Sequence, residues 1–120
     1  MDREELLRRY AAGERDFSGV NLSEVNLSGV DLPEINLSES DLSRSNLSEA
    51  NLMCSLLLWS DLSGANLTSA NLYGCGMQGT NLENANLFRA DLSDANLAGA
   101  KFRNTTCADG NMVVGPEFFD

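Results

Sequence analysis

Histidine is missing from these 120 residues altogether, and with it go the commonest general base at neutral pH and the commonest protein ligand for a transition metal. No catalytic centre, metal site or cofactor is expected. Cations are scarce too: 8 lysines and arginines stand against 18 aspartates and glutamates, a net charge of −10. Phosphate backbones and anionic membranes are gripped by lysine and arginine, so neither is expected as a direct partner, and a basic protein or none fits better. The three cysteines, Cys54, Cys75 and Cys107, are odd in number and widely spaced, with neither a C-x-x-C pair nor a secreted disulfide framework, and they are expected to be free thiols. No apolar run approaches the roughly 18 residues of a membrane span, and the chain is charged from its second residue, unlike a secretory leader. A single cytoplasmic domain is the expectation.

What is abundant is a period of five. Eighteen consecutive apolar centres run from Phe17 through Leu22, Leu27 and Leu32 to Leu97 and Phe102, and the residue before the centre is Asn or Asp in fifteen of them, the exceptions being Leu56, Gly76 and Lys101. Two residues before the centre the side chain is usually small or β-branched, as at Val20, Ala50, Ala65 and Ala100. A period of five fits neither a helix at 3.6 nor a flat strand at 2, so the backbone has to turn once per repeat to keep every centre inward. Four turns close a coil of about twenty residues, and coils stack at the inter-strand spacing of about 4.8 Å, giving about four and a half coils. Leu22, Leu42, Leu62 and Leu82 then form one inward column. The Asn and Asp positions are expected at the corners, bonding nearby turn backbone.

Stacked coils need a cap at each end. Residues 2 to 12 have the pattern of a short helix, with Asp2 and Glu5 in a capping box, Leu6, Leu7, Tyr10 and Ala11 on the face toward the first coil, and Gly13 as the stop. Beyond Asn104 the repeat dissolves, and Ala108 to Gly110 with Gly115 and Pro116 predict turns that carry Val113, Val114, Phe118 and Phe119 onto the last coil.

The pattern Ala/Val–Asn/Asp–Leu–Ser–x resembles that of the pentapeptide-repeat family over residues 15–104. The resemblance implies an all-β solenoid, a right-handed quadrilateral β-helix, divided here into a helical cap at 1–14, the β-helix at 15–104 and a cap or tail at 105–120. Many members of that family are bacterial; an enzyme is not expected here, since the chain has no histidine, no glycine-rich phosphate loop and no cluster of ionisable residues facing inward.

Two surface features stand out. Between Met53 and Trp59 the repeat continues while its polar positions turn apolar: Leu56 replaces Asn or Asp, Leu58 and Trp59 face outward, and Tyr73 stacks beside Met53 one coil later. Met53, Leu56, Leu58, Trp59 and Tyr73 are therefore the candidate protein-interaction patch, for a second copy of the chain or another protein, since large exposed apolar surfaces with Trp and Tyr mark interfaces. The competing reading is that Trp59 folds flat over Gly79 and covers the backbone. The second feature is acidity: residues 16–49 carry seven acids against Arg44 alone, and Glu24, Glu34, Glu39 and Glu49 are the candidate acidic surface. Some pentapeptide-repeat proteins are DNA mimics that occupy type II topoisomerases such as DNA gyrase, which is the alternative function. Against it, residues 15–104 hold eleven acids and five bases, about one net charge per 3.6 Å of rod, whereas duplex DNA carries one per about 1.7 Å.

Overall fold

The computed structural model describes residues 1–114 and the backbone of 117–118. Its central feature follows from one turn repeated along the chain. In the repeats centred on Phe17 through Leu97 the N–H three residues after the apolar centre donates to the centre's carbonyl, as from Ala50 to Leu47 at 3.1 Å. The second residue after the centre is left-handed, with φ between 50° and 75° in all eighteen repeats; six of these residues are glycine and twelve carry a side chain. That geometry matches a type II turn, which needs positive φ at its third position. Left-handed backbone costs an L-residue about 1–2 kcal/mol, so the twelve side-chain cases are held there by the stacking of coils.

Parallel bridges connect residues twenty apart, from Asp16 with Asn36 to Asn86 with Thr106. Four turns lie between bridged residues, so the chain is four-sided in cross-section. The bonds run along the rod: Leu57 donates to the Gly76 carbonyl at 2.7 Å and Trp59 to that of Gln78 at 2.9 Å. Leucine columns fill the interior, Leu22, Leu42, Leu62 and Leu82 all being fully buried.

Two details of the coils differ from expectation. The Asn and Asp residues lie on the bridged sides, not at the corners, and reach forward: the Asn46 Oδ1 accepts the Ser48 N–H at 3.0 Å, which pre-forms the coming turn. The second inward column also holds hydroxyls as well as small apolar groups. Ser40, Ser55, Thr80 and Thr105 are buried and donate to the carbonyls of Phe17, Leu32, Leu57 and Leu82 in the preceding coil, so their burial leaves no donor unpaired.

Helix α1, Arg3–Ala11, caps the first coil. Asp2 accepts the Glu5 N–H at 2.8 Å, and Gly13, at φ 103°, ends the helix. The first coil's carbonyls have no preceding coil to bond, and the cap supplies donors: the Met1 amine to Asn21, Arg3 to Asn26 and Ser28, and the Tyr10 hydroxyl to Pro33 at 2.6 Å. Leu6 is buried, with Leu7 and Tyr10 packed on the core; Ala11 is exposed, contrary to its expected place on that face. At the other end β1 (Lys101–Phe102) pairs antiparallel with β4 (Glu117–Phe118), and β2 (Thr105–Thr106) with β3 (Met112–Val113). Val113 packs on the core as expected. Val114 does not, being 67% exposed; the side chains of Phe118 and Phe119 lie outside the described residues.

Candidate interaction face

One side of the rod and its two edges hold the whole apolar segment. The turn at Met53 and Cys54 forms one edge, Leu56 stands on the side, and the turn at Leu58 and Trp59 forms the other. Trp59 is 68% exposed, Leu56 44%, Tyr73 40% and Met53 36%; Leu58 is half-buried. The twenty-residue register sets Tyr73 one coil beyond Met53, so all five expected patch residues share this face. Phe88 is exposed on a different edge.

The side chains do not simply point outward. They lean along the rod onto the next coil, where glycine makes room: a Cβ at Gly74 would lie 3.1 Å from the Cys54 sulfur, one at Gly76 3.2 Å from Leu56, and one at Gly79 would overlap the Trp59 ring. Trp59 therefore does lie on Gly79 and still presents two-thirds of its surface to solvent. Its backbone φ of 58° is the conformation least suited to a bulky residue. Between these groups sits the amide of Gln78, whose Oε1 is buried without a hydrogen-bond partner among the described residues. A large side chain followed by glycine twenty residues later, as at 54/74, 56/76 and 59/79, is a signal already present in the sequence.

The cysteines divide by environment. Cys54 is exposed. Cys75 is 1% exposed, its thiol donates to the Leu52 carbonyl at 2.9 Å, and burial pushes its pKa up to about 11. Because the thiolate is the nucleophile, iodoacetamide at neutral pH should label Cys54 in the folded protein within minutes and Cys75 only on unfolding, as read by peptide mass spectrometry. Equal labelling of both would mean that the coils open readily.

The four acids of the candidate acidic surface are not brought together. By register, Glu24, Glu34, Glu39 and Glu49 fall on four different edges of the rod, and Glu24 is paired with Arg44 at 3.2 Å. Asp16 and Asp41 instead serve their turns: Asp41 accepts from the Ser43 hydroxyl at 2.6 Å and its N–H at 3.0 Å. The serine hydroxyls, and next the serine N–H groups, hold the Asp16 and Asp41 carboxyls below the ordinary range; at Asp91 the Ser93 N–H leads. A depressed folded pKa gives stability that is complete above the unfolded value, about 3.9, and is lost as pH falls through the folded value. Asn46 with Ser48 shows that an amide makes the same bonds. Asp41→Asn should therefore lower the thermal midpoint less than the wild type does between about pH 4 and 2; an unchanged slope would assign the acid response to other carboxyls.

Fold and face together define a class: a four-sided β-helical rod built from five-residue repeats, with one apolar side. The family model described as pentapeptide repeats matches residues 16–53, 55–89 and 65–104, and the chain belongs to the pentapeptide-repeat family, whose members form right-handed quadrilateral β-helices. It is similar to the crystal structure of Rfr23 from the cyanobacterium Cyanothece 51142, at 38% identity and a TM-score of 0.74, covering 75% of this chain and 62% of that one. It thus spans less than two-thirds of that relative's length. It is also similar to alr5209 from Nostoc PCC 7120, at 38% identity and a TM-score of 0.58, over 99% of this chain and 88% of that one. QnrB1, a plasmid-mediated fluoroquinolone resistance protein, shares the fold at 18% identity and a TM-score of 0.59, over 78% of this chain and 57% of that one. No curated protein sequence matches the chain.

Proposed function

We propose that this protein is a non-enzymatic binding or scaffold protein: a rigid rod of about four and a half coils that presents the face of Met53, Leu56, Leu58, Trp59 and Tyr73 to a protein partner. The observation that carries this reading is the concentration of four exposed large apolar side chains on one side and its two edges, Trp59 at 68%, whereas the rest of the coils exposes one large apolar side chain among the described residues, Phe88. Exposed apolar patches centred on Trp and Tyr are characteristic of protein interfaces. A topoisomerase-binding role is the alternative; its four glutamates fall by register on four edges of the rod and do not form a stripe.

Trp59→Glu tests the proposal. The substitution removes no core leucine, so the circular dichroism spectrum should be unchanged and the thermal midpoint should fall by only a few degrees. Complex formation should be lost, measured as light-scattering mass for self-association and as retention on the immobilised protein for any other partner. A variant that no longer folds would show Trp59 to be a cover for the coil.

A further inference from the structure

From the second coil onward the charges around the apolar face have one sign; the exposed Arg15, one coil earlier on the same side, is turned onto Tyr10. Between residues 33 and 99 its side and edges carry Glu34, Glu39 and Asp94, all exposed, and no lysine or arginine. The bases of the same coils, Arg44 and Arg89, lie by register on the two far edges. None of the ion pairs among the described residues involves Glu34, Glu39 or Asp94. Asp94 lies near the Tyr73 hydroxyl at the rim of the patch, and its carboxylate raises the pKa of that tyrosine.

The backbone of this face has nothing to add. Leu56 donates to Ile35 at 3.0 Å, Leu57 to Gly76 at 2.7 Å and Trp59 to Gln78 at 2.9 Å, so the peptide groups are spent along the rod and no strand edge is offered sideways. Recognition has to run through side chains: an apolar centre with a carboxylate rim.

We infer that the partner is a different protein, one that sets an apolar anchor flanked by lysine or arginine onto Trp59 and Leu56, with its cations against Glu34, Glu39 and Asp94. This rests on the reading of the face as an interaction surface and specifies its occupant. A second copy of the chain fits poorly. A two-fold contact places each patch on itself, and so brings carboxylate rim against carboxylate rim, an arrangement that repels.

Trp59 is the only tryptophan, so its emission reports on this face alone. The probe is a tryptophan-free peptide, Lys-Lys-Leu-Phe-Leu-Lys-Lys, blocked at both ends, beside the same peptide with glutamate for lysine. Titrated into the full chain, the lysine peptide should shift the Trp59 emission saturably, and salt should weaken it; the glutamate peptide should leave the emission unchanged. Neutralising the rim with Glu34→Gln, Glu39→Gln and Asp94→Asn together should weaken binding about tenfold. Neutralising the far edges with Glu24→Gln and Glu49→Gln should change it little, which separates the face from the general acidity of the rod. Equal affinity for both peptides, or an unaffected rim variant, overturns the basic partner while leaving an apolar interaction surface standing. No response to either peptide overturns both. A wild-type dimer that Trp59→Glu dissolves would put a second copy on the face instead.

Discussion

Leu62→Ala should destabilise the rod by about 2–5 kcal/mol, toward the upper end of what deleting a buried leucine costs. Leu62 is fully buried, in a column with Leu42 and Leu82, which are buried equally. The cost of such a deletion depends on how far the surroundings can close on the void, and here they cannot: the wall is held by the bonds of Leu62 to Asn81 and of Leu42 to Asp61, both 2.8 Å. Moving one side inward would break a ladder on two coils at once. Leu97, only half-buried near the end of the rod, provides the comparison, and Leu97→Ala should cost clearly less. Urea titrations followed by circular dichroism measure both, with the m-values checked because a rod of repeats need not unfold in one step. Equal losses at the two positions would mean that the ends are packed as tightly as the middle.

Gly79→Val should cost about 2–5 kcal/mol from two separate sources. The position has a φ of 70°, where a β-branched side chain is strained by about 1–2 kcal/mol. The added carbons would also occupy the space of the Trp59 ring, which already overlaps the position of a Cβ, and overpacking of this kind typically costs about 1–3 kcal/mol. Trp59→Ala in the same background should recover the second part and leave the first, so the double-mutant cycle should show coupling of about 1 kcal/mol or more. In Gly79→Val alone, the displaced ring should also change its emission. Simple additivity with an unchanged spectrum would mean that Trp59 rests on Gly79 without constraint.

The sequence carried the architecture almost completely. Eighteen apolar centres spaced by five leave the backbone one way to keep them inside, and the parallel bridges twenty residues apart are its direct consequence. It also carried the helix with its Asp2 cap and Gly13 stop, because those signals are local. The apolar segment from Met53 to Trp59 was equally visible, since it interrupts an otherwise uniform polar pattern. Even the scattering of the acidic residues was legible: Glu24, Glu34, Glu39 and Glu49 do not differ by twenty, and a pairwise check would have shown that they cannot share an edge.

What the tertiary structure decided lies between coils. A side chain at a left-handed turn residue leans along the rod, so its neighbour is the residue twenty positions on. Whether Trp59 stands free or rests on Gly79 depends on that neighbour and not on the local repeat. The same holds for the serines and threonines that bond the preceding coil, for the Asn and Asp residues that sit on the sides and brace the next turn, and for the one-signed rim around the face. The period determined the backbone because each repeat solves the same problem of burying one apolar centre. The face is particular to this protein because it is assembled from contacts a full coil apart, where no two neighbouring repeats constrain one another.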